Sequence, residues 1–381
     1  MKERLEKDMK ENKIMVYKNI LNINNLIREF PTKILQVIEF KNFIIIRIEY
    51  NSQISDNIFC INYENKIICS DALETLKNFP DESISCCITS PPYYGLRDYH
   101  KKGQIGREKT VEEYLDRLVA VFREVRRVLK KDGTCFVVIG DSYAGSGGGK
   151  GQYMDPKYPK GRNGQNPSIT QKVLGYKSKD LMGIPWRLAL LLREDGWYLR
   201  SDIIWHKENA MPEACRDRPT RSYEHIFLLT KSPRYYYDYE QMAEPMKEVS
   251  KKRYVRGRSE DNKYLKRDAG ISVQKINEAR KYGQYKGDNI PQFRNKRDIW
   301  TINTTSFRGN HYAAFPPKLA EICMLAGCPE NAIVLDPFMG SGTVGLVALR
   351  KGRKYIGIEL NEDYVELAKK RIESEVKEFG K

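Results

Sequence analysis

From Lys66 onward, short apolar runs alternate with amphipathic stretches, the pattern of a parallel sheet with helices covering its faces. The periodicity predicts strands at Lys66–Cys69, Ser83–Thr89 and Thr134–Gly140, with helices over Ala72–Asn78 and Val111–Lys130 between them. In the second helix Tyr114, Leu115, Leu118, Val119, Phe122, Val125 and Leu129 recur at three- and four-residue spacing, and Asp132-Gly133 offers a stop. A helix over Leu181–Glu194 and apolar segments at Tyr198–Trp205 and His225–Leu229 continue the series. The closing stretch repeats it, with helices Pro317–Ala326, Val344–Arg350 and Asp363–Val376 around strands Ala332–Asp336 and Lys354–Glu359. The expected fold class is therefore α/β.

Three regions break the pattern. Residues 1–65 begin with charge and then carry the Ile-rich stretch Ile34–Tyr50, whose alternation predicts one or two strands; no function follows from them. The stretch between Tyr143 and Asp180, with its glycine-rich part at 144–165, is rich in Gly, Lys, Asn and Ser, too polar to bury a core, and reads as a mobile loop. Residues 231–300 hold eighteen Lys and Arg against ten Asp and Glu, with many tyrosines and little periodicity. The division expected is an extension (1–65), one half of a core (66–230), a substrate-recognition region (231–300) and the second half of the core (301–381).

Composition narrows the function. At 381 residues the chain exceeds a typical single domain. No apolar run approaches the ~18 residues of a membrane span, and the opening MKERLEKDMK lacks the apolar core of a secretory signal, so a cytoplasmic location is expected. Eight cysteines without a CxxC pair and four dispersed histidines outline no metal site. A formal charge of +16 favours a polyanionic partner, with nucleic acid first among them.

Two motifs carry chemistry. In Val334–Gly345 (VLDPFMGSGTVG) a glycine turn joins a strand to a helix, and Glu359 closes the next strand. Glycines let backbone approach a nucleoside, and an acid at that distance can accept bonds from ribose hydroxyls; a dinucleotide site or a merely tight turn has the same pattern. The second motif is Ser90-Pro91-Pro92-Tyr93, at the carboxyl edge of a strand. Two prolines fix the backbone there, so that the Ser90 hydroxyl and Pro91 carbonyl can accept hydrogens from one conjugated amino group while Tyr93 offers a stacking face. Standing by itself, this tetrapeptide also reads as a rigid turn.

Together, SPPY and FMGSG resemble the catalytic [Asp/Asn/Ser]-Pro-Pro-[Tyr/Phe] and cofactor Phe-x-Gly-x-Gly motifs of the amino-methylating DNA methyltransferases. With the catalytic motif first, the chain is similar to the permuted beta group, and the likeness runs from about Lys66 to Ile372. It takes in the segments SDIIWHKENAMPE, RSYEHIFLLTKS and HYAAFPPKLAE. The resemblance implies a circularly permuted Rossmann-like sheet with an inserted target-recognition region, and S-adenosyl-L-methionine as cofactor. It implies that Asp336, Phe338, Gly340, Gly342 and Thr343 line the cofactor, with Glu359 on its ribose. Asp71 matches an acid on the adenine, and Phe315-Pro316 the segment beside the methionine end. Ser90, Pro91, Pro92 and Tyr93 are the implied catalytic set, and no metal is required.

The implied reaction is methylation of a base flipped out of double-stranded DNA. Serine at the first motif position resembles the N4-cytosine members, with N6-adenine as the alternative. Attack at cytosine C5 needs a nucleophilic cysteine, usually after proline, and the chain has no Pro-Cys pair. Candidate DNA contacts are Arg234, Arg253, Arg256, Arg258, Lys266, Arg267, Arg294 and Arg297. Arg97-Asp98 and Trp205-His206-Lys207 are placed to line the cleft. A separately acting restriction endonuclease is a further expected partner. RNA or protein substrates, and a non-catalytic DNA-binding protein on the same fold, are the competing readings.

Overall fold

The computed structural model describes residues 63–96, 101–145, 175–213, 215–256, 290–304 and 315–379, together with the backbone of three strands nearer the amino terminus. These three, β1 (Ile14–Tyr17), β2 (Lys33–Phe40) and β3 (Phe43–Glu49), form an antiparallel sheet in the order β1-β3-β2. The alternating stretch Ile34–Tyr50 thus supplies a pair of strands, with a register shift between Ile34 and Gln36.

The main sheet has eight strands: β4 (Lys66–Cys69), β5 (Ile84–Thr89), β6 (Leu129–Ile139), β7 (Tyr198–His206), β8 (Tyr223–Thr230), β11 (Ile299–Thr301), β12 (Ile333–Asp336) and β13 (Lys354–Glu359). Their order is β11-β7-β8-β6-β5-β12-β13-β4. Only β8 runs against its neighbours; every other pairing is parallel. Strands buried on both faces need continuous apolar runs, and β5 (ISCCIT) and β12 (IVLD) are buried at every position. β12 and β13 come from the far end of the chain yet sit between β4 and β5. That is the permuted order expected from the motifs.

Helices α1 (Ala72–Leu76), α2 (Val111–Val128), α3 (Ile184–Glu194), α6 (Pro317–Gly327), α7 (Thr343–Arg350) and α8 (Glu362–Phe379) belong with this sheet. In α2 the Thr110 side chain accepts from Glu113 N, while the Glu113 carboxylate accepts from Lys109 N, so two amides at the helix start are satisfied reciprocally. Its apolar stripe, Tyr114, Leu115, Leu118, Phe122 and Val125, is almost wholly buried. The helix ends earlier than its periodicity suggests. Leu129 turns extended and enters β6 directly, pairing with Ile84, while Cys86 pairs with Thr134. Asp132-Gly133 therefore lies in a bulge of the strand and not at a helix stop. α3 also starts later than expected, at Ile184, because the Asp141 carboxylate receives the amides of Gly183 and Ile184 and Pro185 follows in the first turn.

Residues Tyr237–Asp298 form a second compact unit. It contains α4 (Tyr239–Met242), α5 (Glu248–Arg256) and an antiparallel pair, β9 (Glu244–Pro245) with β10 (Phe293–Arg294). Glu244 bridges Arg294 and Lys296 within it. Among the described residues, no helix is long and apolar enough to cross a membrane.

Candidate active site

The sheet order creates a crevice. From β5 the chain works outward to β6, and from β12 outward to β13 on the other side, so the carboxyl ends of β5 and β12 flank a topological switch point. Thr89, the last residue of β5, donates its hydroxyl to Asp336 Oδ1 at the end of β12, at 2.6 Å. The same oxygen accepts from Phe338 N at 3.0 Å. Asp336 is 1% exposed, and burial pushes its carboxyl up to about 7 against the opposing effect of these two donors.

On the β12–β13 side the glycine turn is tied to the neighbouring strand. Gly340, at φ +50°, donates its amide to Glu359 Oε2 at 2.8 Å, and Asn361 N donates to Oε1 at 2.8 Å. The carboxylate at the end of β13 is thereby held at the crevice; burial raises its pKa and these amides oppose the rise. Gly342 has φ +80°, and a Cβ there would come within 2.9 Å of the Ala368 methyl on α8. Only glycine meets both demands.

On the β5 side the Ser90–Tyr93 turn is braced from outside. Tyr114 of α2 donates its hydroxyl to Pro92 O at 2.8 Å, and Gly106 packs against the Tyr93 carbonyl. The Tyr93 hydroxyl donates to Glu224 Oε2 at 2.7 Å, and its ring lies against Gly140, where a Cβ would sit 3.0 Å from it. Lys207 Nζ donates to Glu224 Oε1 and lies 4.1 Å from the Trp205 ring centroid. Burial first, and then the negative Glu224, hold the Tyr93 hydroxyl well above the usual tyrosine range, with the Ser90 hydroxyl opposing.

One cavity of about 790 Å³ joins the two sides. Asp71, Ser90, Pro91, Pro92, Tyr93, Phe315, Asp336, Phe338, Gly340, Thr343 and Glu359 all line it. Pro316 and Gly342 are set back from its wall: Pro316 precedes α6, and Gly342 supports the turn from behind. Asp71 also caps α1 through a bond from Glu74 N, which fixes its carboxyl at the rim. Trp205 and Lys207 line the cavity, whereas His206 does not and contacts Thr301. Arg97, Asp98, residues 146–165 of the glycine-rich stretch, and the side chains of Arg253, Arg256, Arg258, Lys266 and Arg267 lie outside the described residues. The structure adds Gly140, Asp141, Asn209, Glu224 and Tyr364 to the wall. Glu224 lies in the segment RSYEHIFLLTKS, and nothing in the local pattern marked it.

Residues 84–370 match the N6/N4 family described as DNA methylase. The chain belongs to this DNA methyltransferase family. It is similar to the Type II methyltransferase M.SmaI of Serratia marcescens, with 45% identity over 307 residues, covering 81% of this chain and 90% of the relative. M.Cfr9I of Citrobacter freundii, also a Type II methyltransferase, is 44% identical over 305 residues, covering 80% and 86%. Among solved structures, the PvuII DNA methyltransferase, described as cytosine-N4-specific, superposes with a TM-score of 0.51 at 21% identity, covering 82% of this chain and 89% of that one. That likeness is one of fold.

S-adenosyl-L-methionine is the methyl donor of this DNA methyltransferase family. The cavity suits it. Glu359 and Asp71 offer carboxylates to hydroxyl and amino donors, and Phe315 and Phe338 offer apolar and aromatic surface to a sulfonium.

Proposed function

We propose that this methyltransferase modifies the exocyclic N4 amino group of cytosine in double-stranded DNA. It would be the protecting half of a cytoplasmic restriction-modification system, beside a separately acting endonuclease. The observation that carries the reading is the joining of Ser90 and the glycine turn in one cavity across the Thr89–Asp336 bond. Serine in the first position of the motif supports cytosine. The Type II relatives support the protective role.

The bound cofactor supplies an electrophilic methyl group on a sulfonium. The rest falls to the chain. Glu359 would hold ribose hydroxyls and Asp71 the adenine amino group, and Phe338 with Gly340 and Thr343 would shape the turn around the nucleoside. Phe315 would flank the methionine end with Pro316 behind it, Gly342 braces the turn, and Asp336 ties it to β5. Ser90 Oγ and the Pro91 carbonyl accept the two hydrogens of the amino group and draw its nitrogen from a conjugated towards a tetrahedral form. Pro91 and Pro92 hold those acceptors still, and Tyr93 stacks on the flipped base. Tyr237–Asp298 is the candidate target-reading unit, since Arg294 and Arg297 there suit phosphates or guanine edges.

The test is mass spectrometry of nucleosides from plasmid DNA treated with the protein and S-adenosylmethionine, beside a Ser90→Ala control. N4-methylcytosine is expected, with a loss on the order of 10²-fold in the control. N6-methyladenine in its place would keep the chemistry and overturn the base; no methylated base would remove DNA as the substrate.

A further inference from the structure

Glu224 opens β8, the reversed strand. Because β8 runs against β6, its beginning lies at the carboxyl edge of the parallel strands, beside Gly140 and two strands from Ser90. An acid with no place in either motif is thus carried to the catalytic edge. Both of its oxygens are engaged, Oε2 by the Tyr93 hydroxyl and Oε1 by Lys207. The Glu224 and Lys207 side chains are only 20% and 16% exposed, so the pair is largely out of water, where charge-assisted bonds are strong.

We infer that Glu224 is a positioning residue for the target base, acting through Tyr93. A tyrosine ring turns about two torsions, and here it is held at both ends. The Pro92–Tyr114 bond fixes its backbone, Glu224 anchors its hydroxyl, and Gly140 leaves room for the ring between. The stacking face is therefore set before a base enters, and none of the base's binding energy goes to ordering it. Lys207 holds the other oxygen of the carboxylate, which aims the group at the hydroxyl. This inference rests on the cavity receiving a flipped amino base, as proposed above.

The test compares wild type, Glu224→Gln, Tyr93→Phe and the double variant in single-turnover methylation of plasmid DNA, with S-adenosylhomocysteine affinity measured by calorimetry. Each single variant should slow methyl transfer about tenfold, with cofactor-product affinity within about twofold of wild type. The double variant should also be slowed only about tenfold, because glutamine has one oxygen for two donors, the Lys207 ammonium takes it, and both changes then break the Tyr93 connection. Losses that multiply towards about a hundredfold, an unaltered rate in Glu224→Gln, or a matching loss of S-adenosylhomocysteine binding would overturn the inference. A second readout needs no activity. In the full chain labelled with 3-fluorotyrosine, the fluorine signal missing from Tyr93→Phe should titrate above free 3-fluorotyrosine and lose part of that rise in Glu224→Gln. A Tyr93 signal that titrates like free 3-fluorotyrosine, or that does not respond to Glu224→Gln, refutes the contact. If the wild type methylates no DNA base, the proposed function falls, and the response of this signal to Glu224→Gln alone decides whether Glu224 orients Tyr93.

Discussion

Replacing Asp336 by Asn should flatten the dependence of stability on pH. The carboxyl is buried at the switch point, with its pKa pushed from 3.8 in the unfolded chain to about 7. Between those values the folded state keeps a proton that the unfolded state has released, so stability falls as pH rises and the loss is complete once pH passes the folded pKa. A tenfold change in proton affinity is worth about 1.4 kcal/mol, so the full span amounts to roughly 4 kcal/mol, of which about 2 kcal/mol falls between pH 5.5 and 8. Asparagine keeps an oxygen for Thr89 Oγ1 and Phe338 N but does not titrate. Urea unfolding followed by tryptophan fluorescence at the two pH values measures the effect. Wild type should lose about 2 kcal/mol more than Asp336→Asn over that interval. Equal pH responses in the two proteins would show that Asp336 is ionised throughout, and that the Thr89 and Phe338 donors outweigh burial.

Two other substitutions probe the frame around the cavity. Glu359→Ala removes the acceptor that the glycine turn holds in place, and calorimetry should show S-adenosylhomocysteine binding weakened at least about tenfold, since hydrogen bonds to a charged group contribute roughly 1.5–3 kcal/mol; unchanged affinity would remove Glu359 from the ribose. Gly327→Ala would place a methyl 2.3 Å from Thr134 Oγ1 and 2.6 Å from the Phe136 ring, an overpacking that should cost about 1–3 kcal/mol and appear as a lowered Tm. A wild-type Tm there would mean that α6 slides off the sheet without penalty.

The strands and helices of the main sheet were legible because their hydrophobic periods differ so plainly. Boundaries failed where a tertiary contact overruled the local pattern. The apolar stripe of α2 runs on through Leu129, but that residue is claimed by Ile84 across the sheet, and the helix gives way. The start of α3 depends on Asp141, more than forty positions earlier, which no local window contains. Ser90, Tyr93, Phe338 and Glu359 stood out as motif residues, and the structure brings them into one cavity. Glu224 stayed hidden because its importance comes from the direction of β8. A residue's place at a strand's beginning or end decides whether it meets the crevice, and that is a property of topology.

The Thr89–Asp336 bond joins residues 247 positions apart. On a ribosome, the other six strands of the main sheet emerge first, with a gap between β5 and β4, and β12 and β13 arrive last to fill it. The glycine turn and the Ser90–Tyr93 turn are consequently brought together by one late event, in which long-range pairing must close a very large loop before any contact rewards it. A prematurely terminated chain then lacks the glycine turn and Glu359 altogether, and the cavity forms only in finished molecules.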